Sequence, residues 1–84
     1  MNSLKSQAIA NLQSVAWGEV ESMEQAAVAL DDARDWLMSE DGDNPKFIDA
    51  YNVIGNLVYK ANNNSWDFEQ VQMLDRLIND LQND

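Results

Sequence analysis

Residues 22–39 read SMEQAAVALDDARDWLMS, and they combine a helix start with an apolar stripe at helical spacing. Ser22 and Gln25 stand three positions apart, as in a capping box. Small and apolar residues then recur every three or four positions on one side of the segment, namely at Met23, Ala26, Leu30, Ala33 and Leu37. The pattern predicts a helix from about 23 to 39, whose alanines let a neighbouring helix approach closely.

The opposite side of this helix is acidic. At ~100° per residue, Glu24, Asp31 and Asp35 fall in a narrow sector opposite the stripe, with Asp32 at its edge. At ~1.5 Å per residue, Asp31 and Asp35 lie ~6 Å apart and Glu24 lies ~10 Å before Asp31, a spacing comparable with that of phosphates along a nucleic acid. Further acids extend the row at both ends of the helix, namely Glu19 and Glu21 before it and Glu40, Asp41 and Asp43 after it. The row predicts a surface that binds a basic groove, and the alternative is the ordinary solvated face of a helix in an acidic protein.

Three more helices are predicted from caps and apolar spacing, over residues 3–17, 45–61 and 65–81, with Ser3 as the expected cap of the first. Gly18 suits the left-handed residue after the first helix, and Asn44-Pro45 is a typical start for the third. Either Asn64 or Ser65 is expected to cap the fourth. No alternating β-branched run competes, so the chain is predicted to be a single all-α domain over 1–84, a compact antiparallel bundle of four short helices. The alternative is an intertwined or swapped homodimer.

The charge balance restricts the class of partner. The 84 residues contain 15 Asp and Glu against five Lys and Arg, for a net charge of −10, and residues 19–49 hold ten of those acids against two bases. Such a field repels DNA, RNA and anionic lipid and attracts basic surfaces. No helical turn carries two bases, which argues against a helix-turn-helix. We therefore expect no direct nucleic-acid or membrane binding, and a protein partner with a basic surface, such as a nucleic-acid-processing complex.

Catalysis and metal binding are not expected. The chain has neither His nor Cys, which removes the commonest general acid/base and the soft metal ligands. The loop at 40–44 superficially resembles a calcium loop, but its Gly is not at the sixth position and Asn52 stands where a bidentate Glu is required. The sequence therefore predicts no enzymatic activity, no cofactor and no metal site.

The expected location is the cytoplasm. No apolar run approaches the ~20 residues of a membrane span, and residues 1–7 lack the basic-then-apolar order of a signal peptide. The lack of Cys is compatible with a reducing compartment.

Several aromatic residues lie off the apolar stripes and are candidate anchors for a partner. Trp36 flanks the stripe of the second helix, while Tyr59 and Phe68 lie off the stripes of the third and fourth. Trp17 and Val20 either belong to the same patch or form a lid. Aromatics beside an acidic field are typical of a protein-binding surface, and packing between helices is the alternative.

By composition, the chain resembles small acidic helical inhibitors that phages and mobile elements use against nucleic-acid-handling machines; no motif carries this resemblance. It favours a non-enzymatic protein that inhibits a partner by occlusion or nucleic-acid mimicry. The alternative function is a self-associating helical adaptor, immunity or regulatory subunit, with a possible homodimer whose association is insensitive to salt.

Overall fold

The computed structural model describes residues 3–83, which form four α-helices joined by short connections. They are α1 (Leu4–Ala16), α2 (Met23–Asp41), α3 (Pro45–Asn62) and α4 (Phe68–Gln82). The predicted all-α bundle is confirmed, and residues 3–83 contain no strand. Met1 and Asn2, which belong to the segment considered for a signal peptide, lie outside the described residues, as does Asp84.

The helices form a closed ring in which each contacts its two neighbours along the chain order, with α4 returning to α1. Two hydrogen bonds between α1 and α2 define their relative direction. The backbone N–H of Lys5 donates to Glu40 Oε2 over 2.7 Å, and Asn11 Nδ2 donates to the carbonyl of Ala29 over 3.3 Å. Residues early in α1 therefore lie beside residues late in α2, as an antiparallel pair requires.

Three of the four helix starts lie where the sequence predicts them. The side chains of Ser3, Ser22 and Asn44 each accept a hydrogen bond from a backbone N–H in the first turn, at 3.1, 3.2 and 2.9 Å. Each bond satisfies a donor that the helix itself leaves unpaired. Gly18 has a φ of 72°, so it occupies the left-handed position expected after α1.

The start of α4 differs from the prediction. The helix begins at Phe68 and its cap is Asp67, so the prediction of a cap at Asn64 or Ser65 was wrong. Asp67 accepts from the N–H of Glu69 at 2.9 Å, and Gln70 Oε1 accepts from the N–H of Asp67 at 2.8 Å. This reciprocal pair satisfies two backbone donors, which a lone Asn or Ser does not achieve.

The core lies along the centre of the ring and is made of the inward stripes of all four helices. Seven large side chains are fully buried there, namely Leu12, Leu30, Leu37, Ile54, Leu57, Leu74 and Leu81. Alanines on α1, α2 and α3 are buried between them, which brings the helix backbones close together. The apolar spacing of α3 predicts an inward stripe of Phe47, Tyr51, Ile54, Val58 and Ala61. Ala50 and Leu57 are buried although they lie outside this stripe, because α3 is covered by both α2 and α4.

Arg34 fixes the register between α2 and α3. Its Nε donates to Asp31 Oδ1 over 2.9 Å, and its guanidinium lies 4.3 Å from the centroid of the Tyr51 ring. A Cβ at Gly55 would come within 2.9 Å of Arg34 Nη1. The missing side chain at Gly55 therefore makes room for the guanidinium to stack on Tyr51.

A double-mutant cycle tests this role of Gly55. In an Arg34→Ala background, Gly55→Ala is expected to raise the free energy of unfolding by about 1 kcal/mol, because Ala is the better helix former. With Arg34 present the gain should be smaller, since the new methyl group displaces the guanidinium from the ring. Urea denaturation of the four proteins measures the difference. Equal gains in both backgrounds would contradict the proposed fit.

Candidate partner-binding surface

The outer side of α2 presents the acidic row expected from the sequence. The side chains of Glu24, Asp32 and Asp35 are exposed, Asp31 is half-exposed, and Val28 lies among them with 58% of its surface accessible. We call these five residues the α2 acidic face. From Glu24 to Asp35 the face extends ~17 Å along the helix.

The acids of this face differ in whether a salt bridge within the protein already compensates their charge. Asp31 is bound by Arg34 within its own helix, so part of its charge is already compensated. Glu24, Asp32 and Asp35 make neither a salt bridge nor a side-chain hydrogen bond with any residue of the range 3–83. The negative field of the face therefore comes mainly from these three carboxylates.

An open groove of about 610 Å³ follows the α2 acidic face on the side of α1. Val20 and Val28 supply apolar surface, and Glu24 and Asp32 supply charge. The groove can accept an aliphatic side chain whose charged end pairs with a carboxylate. Sequence reasoning missed Val28, although its position four residues from both Glu24 and Asp32 marks it as the apolar centre of an acidic face.

The acids predicted after the helix lie at the far end of the bundle, and α2 runs two residues further than predicted, so that Glu40 and Asp41 belong to it. Glu40 accepts the backbone N–H of Lys5 and so stabilises the start of α1. Asp41 is the last residue of α2, and its carboxylate accepts from the N–H of Asp43 at 3.4 Å. The sixteen positions from Glu24 to Glu40 correspond to ~24 Å of helix. Glu40, Asp41 and Asp43 are therefore separate from the start of the acidic row and are partly used within the fold.

The three predicted aromatic anchors differ in exposure. Trp36 is half-buried and packs against the core, so only part of its ring is accessible. Tyr59 and Phe68 are 65% and 72% exposed. Tyr59 lies in the last turns of α3 and Phe68 begins α4, so both lie at the end of the bundle where α2 starts. The structure thus brings Tyr59 and Phe68 to the same end as Glu24 and separates them from the acids at 40–43, where α2 ends.

Two other classes of feature, a metal-binding cluster and a membrane-spanning helix, are not found in the part of the chain that the structure describes. Across residues 3–83, no three acidic side chains are arranged to hold a metal ion. No helix in that range is both long enough and apolar enough to cross a bilayer.

The arrangement is thus an exposed acidic helix face beside a groove of mixed apolar and charged lining, with exposed aromatics at one end of the bundle. Comparisons with protein-family models, with curated proteins and with solved structures find no match for this chain.

Proposed function

We propose that this protein is a non-enzymatic inhibitor that binds a basic surface of a partner protein, one that normally holds DNA or RNA, and blocks it by occlusion. The observation that carries the proposal is the α2 acidic face, where Glu24, Asp32 and Asp35 are exposed and have no partner among the described residues. The proposal places its action in the cytoplasm and is compatible with an origin in a phage or mobile element.

Unpaired carboxylates suit this role for an energetic reason. A Lys or Arg of the partner can pair with Glu24, Asp32 or Asp35 without first breaking an ion pair inside the protein. Complementary charge speeds the encounter and orients the two surfaces, while Val28 adds apolar contact at the centre. Since the partner's basic groove also attracts phosphates, the bound acidic helix and a nucleic acid would compete for it.

A self-associating adaptor, immunity or regulatory subunit is the second candidate, and one observation favours it. An open groove of about 370 Å³ between α3 and α4 has apolar residues, Val53 and Leu77, in its lining. Its charged residues include both signs, with Lys46 beside Asp49 and Asp80. A groove that carries both signs of charge is a better seam for two identical chains than the α2 acidic face, where like charges would meet.

Affinity capture followed by competition tests the proposed function. With this protein as bait in a bacterial lysate freed of nucleic acid, we expect a nucleic-acid-binding protein to be retained and then released between about 0.1 and 0.5 M salt, because salt screens exposed charges. Double-stranded DNA added to the purified complex should displace the bait. Recovery of the bait alone, or of a partner that salt does not release, would favour the self-associating alternative.

A further inference from the structure

The most exposed aromatic side chains of the described chain share one end of the bundle. Trp17 follows α1, Tyr59 lies in the last turns of α3, and Phe68 is the first residue of α4. Because successive helices run in opposite directions, the end of α1, the start of α2, the end of α3 and the start of α4 all meet there. We call Trp17, Tyr59 and Phe68 the aromatic end.

Burial separates these three rings from the other aromatics. Trp17, Tyr59 and Phe68 are 65%, 65% and 72% exposed. The four other aromatic residues are buried or half-buried, and they are Trp36, Phe47, Tyr51 and Trp66. A single exposed apolar side chain is ordinary on a protein surface, but three large rings at one end of so small a domain indicate a binding surface.

One of the three rings lines a surface groove at this end. Tyr59 and Lys60 of α3 line an open groove of about 390 Å³ together with Glu69 of α4, which is the residue after Phe68. This depression therefore contains a ring, a cation and a carboxylate, and Phe68 lies at the start of the helix that forms one of its walls. Trp17 follows α1, which is the other neighbour of α4 in the ring.

The charged residues around the aromatic end indicate which kind of ligand it binds. The exposed charged residues at this end are five acids and one base, namely Glu19, Glu21, Glu24, Asp67, Glu69 and Lys60. A nucleic acid or an anionic lipid would be repelled here. A second copy would bring the same acidic excess against it, and like charges face to face are destabilising. The ligand that fits both the rings and the charge is cationic and planar.

We propose that the aromatic end binds an arginine-bearing segment of the partner protein. Guanidinium groups stack on the exposed rings of Trp17, Tyr59 and Phe68 while their N–H groups donate to the neighbouring carboxylates. Lysine satisfies this surface less well, because its ammonium is compact, strongly hydrated and unable to stack as a plane. The inference rests on the proposed function and adds the chemistry of the partner and a second contact beside the α2 acidic face.

Fluorescence anisotropy with two labelled peptides tests the inference, one alternating Arg with Gly and the other alternating Lys with Gly. The unmodified protein should bind the Arg peptide several-fold more tightly than the Lys peptide. The triple variant Trp17→Ala/Tyr59→Ala/Phe68→Ala should lose about tenfold in affinity for the Arg peptide and less than about twofold for the Lys peptide. Ile48→Ala, which removes a 40% exposed side chain near the opposite end of α3, serves as the matched control and should bind as the unmodified protein does.

The outcomes separate this inference from the proposed function. Equal binding of both peptides, or an Arg affinity unchanged in the triple variant, would overturn the inference, while a partner captured and released by salt would leave the proposed function standing. If the protein prefers the Arg peptide but no partner is captured and released by salt, the aromatic end binds arginine as inferred and the proposed function is wrong. If sedimentation showed a dimer that the triple variant abolishes, the occupant would be a second copy and the inference wrong. Circular dichroism verifies that the variants fold. The single variants Trp17→Ala and Phe68→Ala should each lose about twofold to threefold in affinity for the Arg peptide, which gives a second measurement.

Discussion

Reversing the charges of Asp32 and Asp35 together, as Asp32→Lys/Asp35→Lys, is expected to weaken binding to the captured partner by about a hundredfold. Both carboxylates are exposed and have no partner among the described residues, so the change removes two attractions and replaces them with repulsions without disturbing the fold. The salt dependence of the remaining binding should also decrease, because fewer opposite charges meet at the interface. Titration of the partner by calorimetry at two salt concentrations measures both effects.

The matched control places the same charge change on the other side of the bundle. Asp49 and Asp75 are exposed residues of α3 and α4, and Asp49→Lys/Asp75→Lys alters the net charge by the same amount. We expect this variant to lose far less affinity. Equal losses in the two variants would mean that only total charge matters, and full binding by the Asp32/Asp35 variant would rule out mimicry by the α2 acidic face. Reversal at Asp31 is a poorer test, because it also breaks the contact with Arg34.

The sequence was sufficient for most of the fold because local signals and tertiary packing agree along this chain. Apolar residues recur at helical spacing in four segments, and Ser3, Ser22 and Asn44 cap three of them as predicted. The start of α4 was missed because the sequence offers several polar residues in succession before it. The choice of Asp67 depends on Gln70 reaching back, which is a side-chain geometry rather than a residue preference.

The candidate site was less predictable because its boundaries depend on contacts between helices. The sequence placed Glu24, Asp32 and Asp35 on an outward sector of α2, where they are exposed. It did not show that Glu40 accepts a hydrogen bond from a residue 35 positions away. Contacts of that range follow from how α1 and α2 align, which periodicity within one helix does not specify. Trp36 illustrates the same limit, since its half-burial reflects packing against the assembled core.

The aromatic end was within reach of sequence reasoning. Alternating helix directions already place the end of α1 and the end of α3 beside the start of α4. Applied to Trp17, Tyr59 and Phe68, that rule places the three residues at the same end of the bundle before any coordinates are known. The missing information was their exposure, because an aromatic residue near a helix terminus can equally fold back over the core, as Trp66 does.

The second large effect is expected at the centre of the core. Leu30 is fully buried on α2, the helix that contacts both α1 and α3. Leu30→Ala should lower the free energy of unfolding by about 3 kcal/mol, through lost burial and the cavity left behind. For a domain of this size such a loss lowers the melting temperature by about 15 °C. Thermal and urea denaturation followed by circular dichroism measure it.

Val28 provides the control on the same helix, two positions earlier and on the outer side. Because 58% of its surface is accessible, Val28→Ala should change stability by less than about 0.5 kcal/mol, since the small loss of contact is offset by the better helix propensity of Ala. Leu30→Met, which nearly conserves volume, should cost less than about 1.5 kcal/mol and keeps the comparison informative if the Ala variant does not fold. The same Val28→Ala protein should bind the partner more weakly, because it loses the apolar centre of the α2 acidic face. A loss of stability at position 30 with a loss of binding at position 28 would show that α2 stabilises the fold with one side and contacts the partner with the other. Similar stability losses at both positions would contradict the orientation of α2.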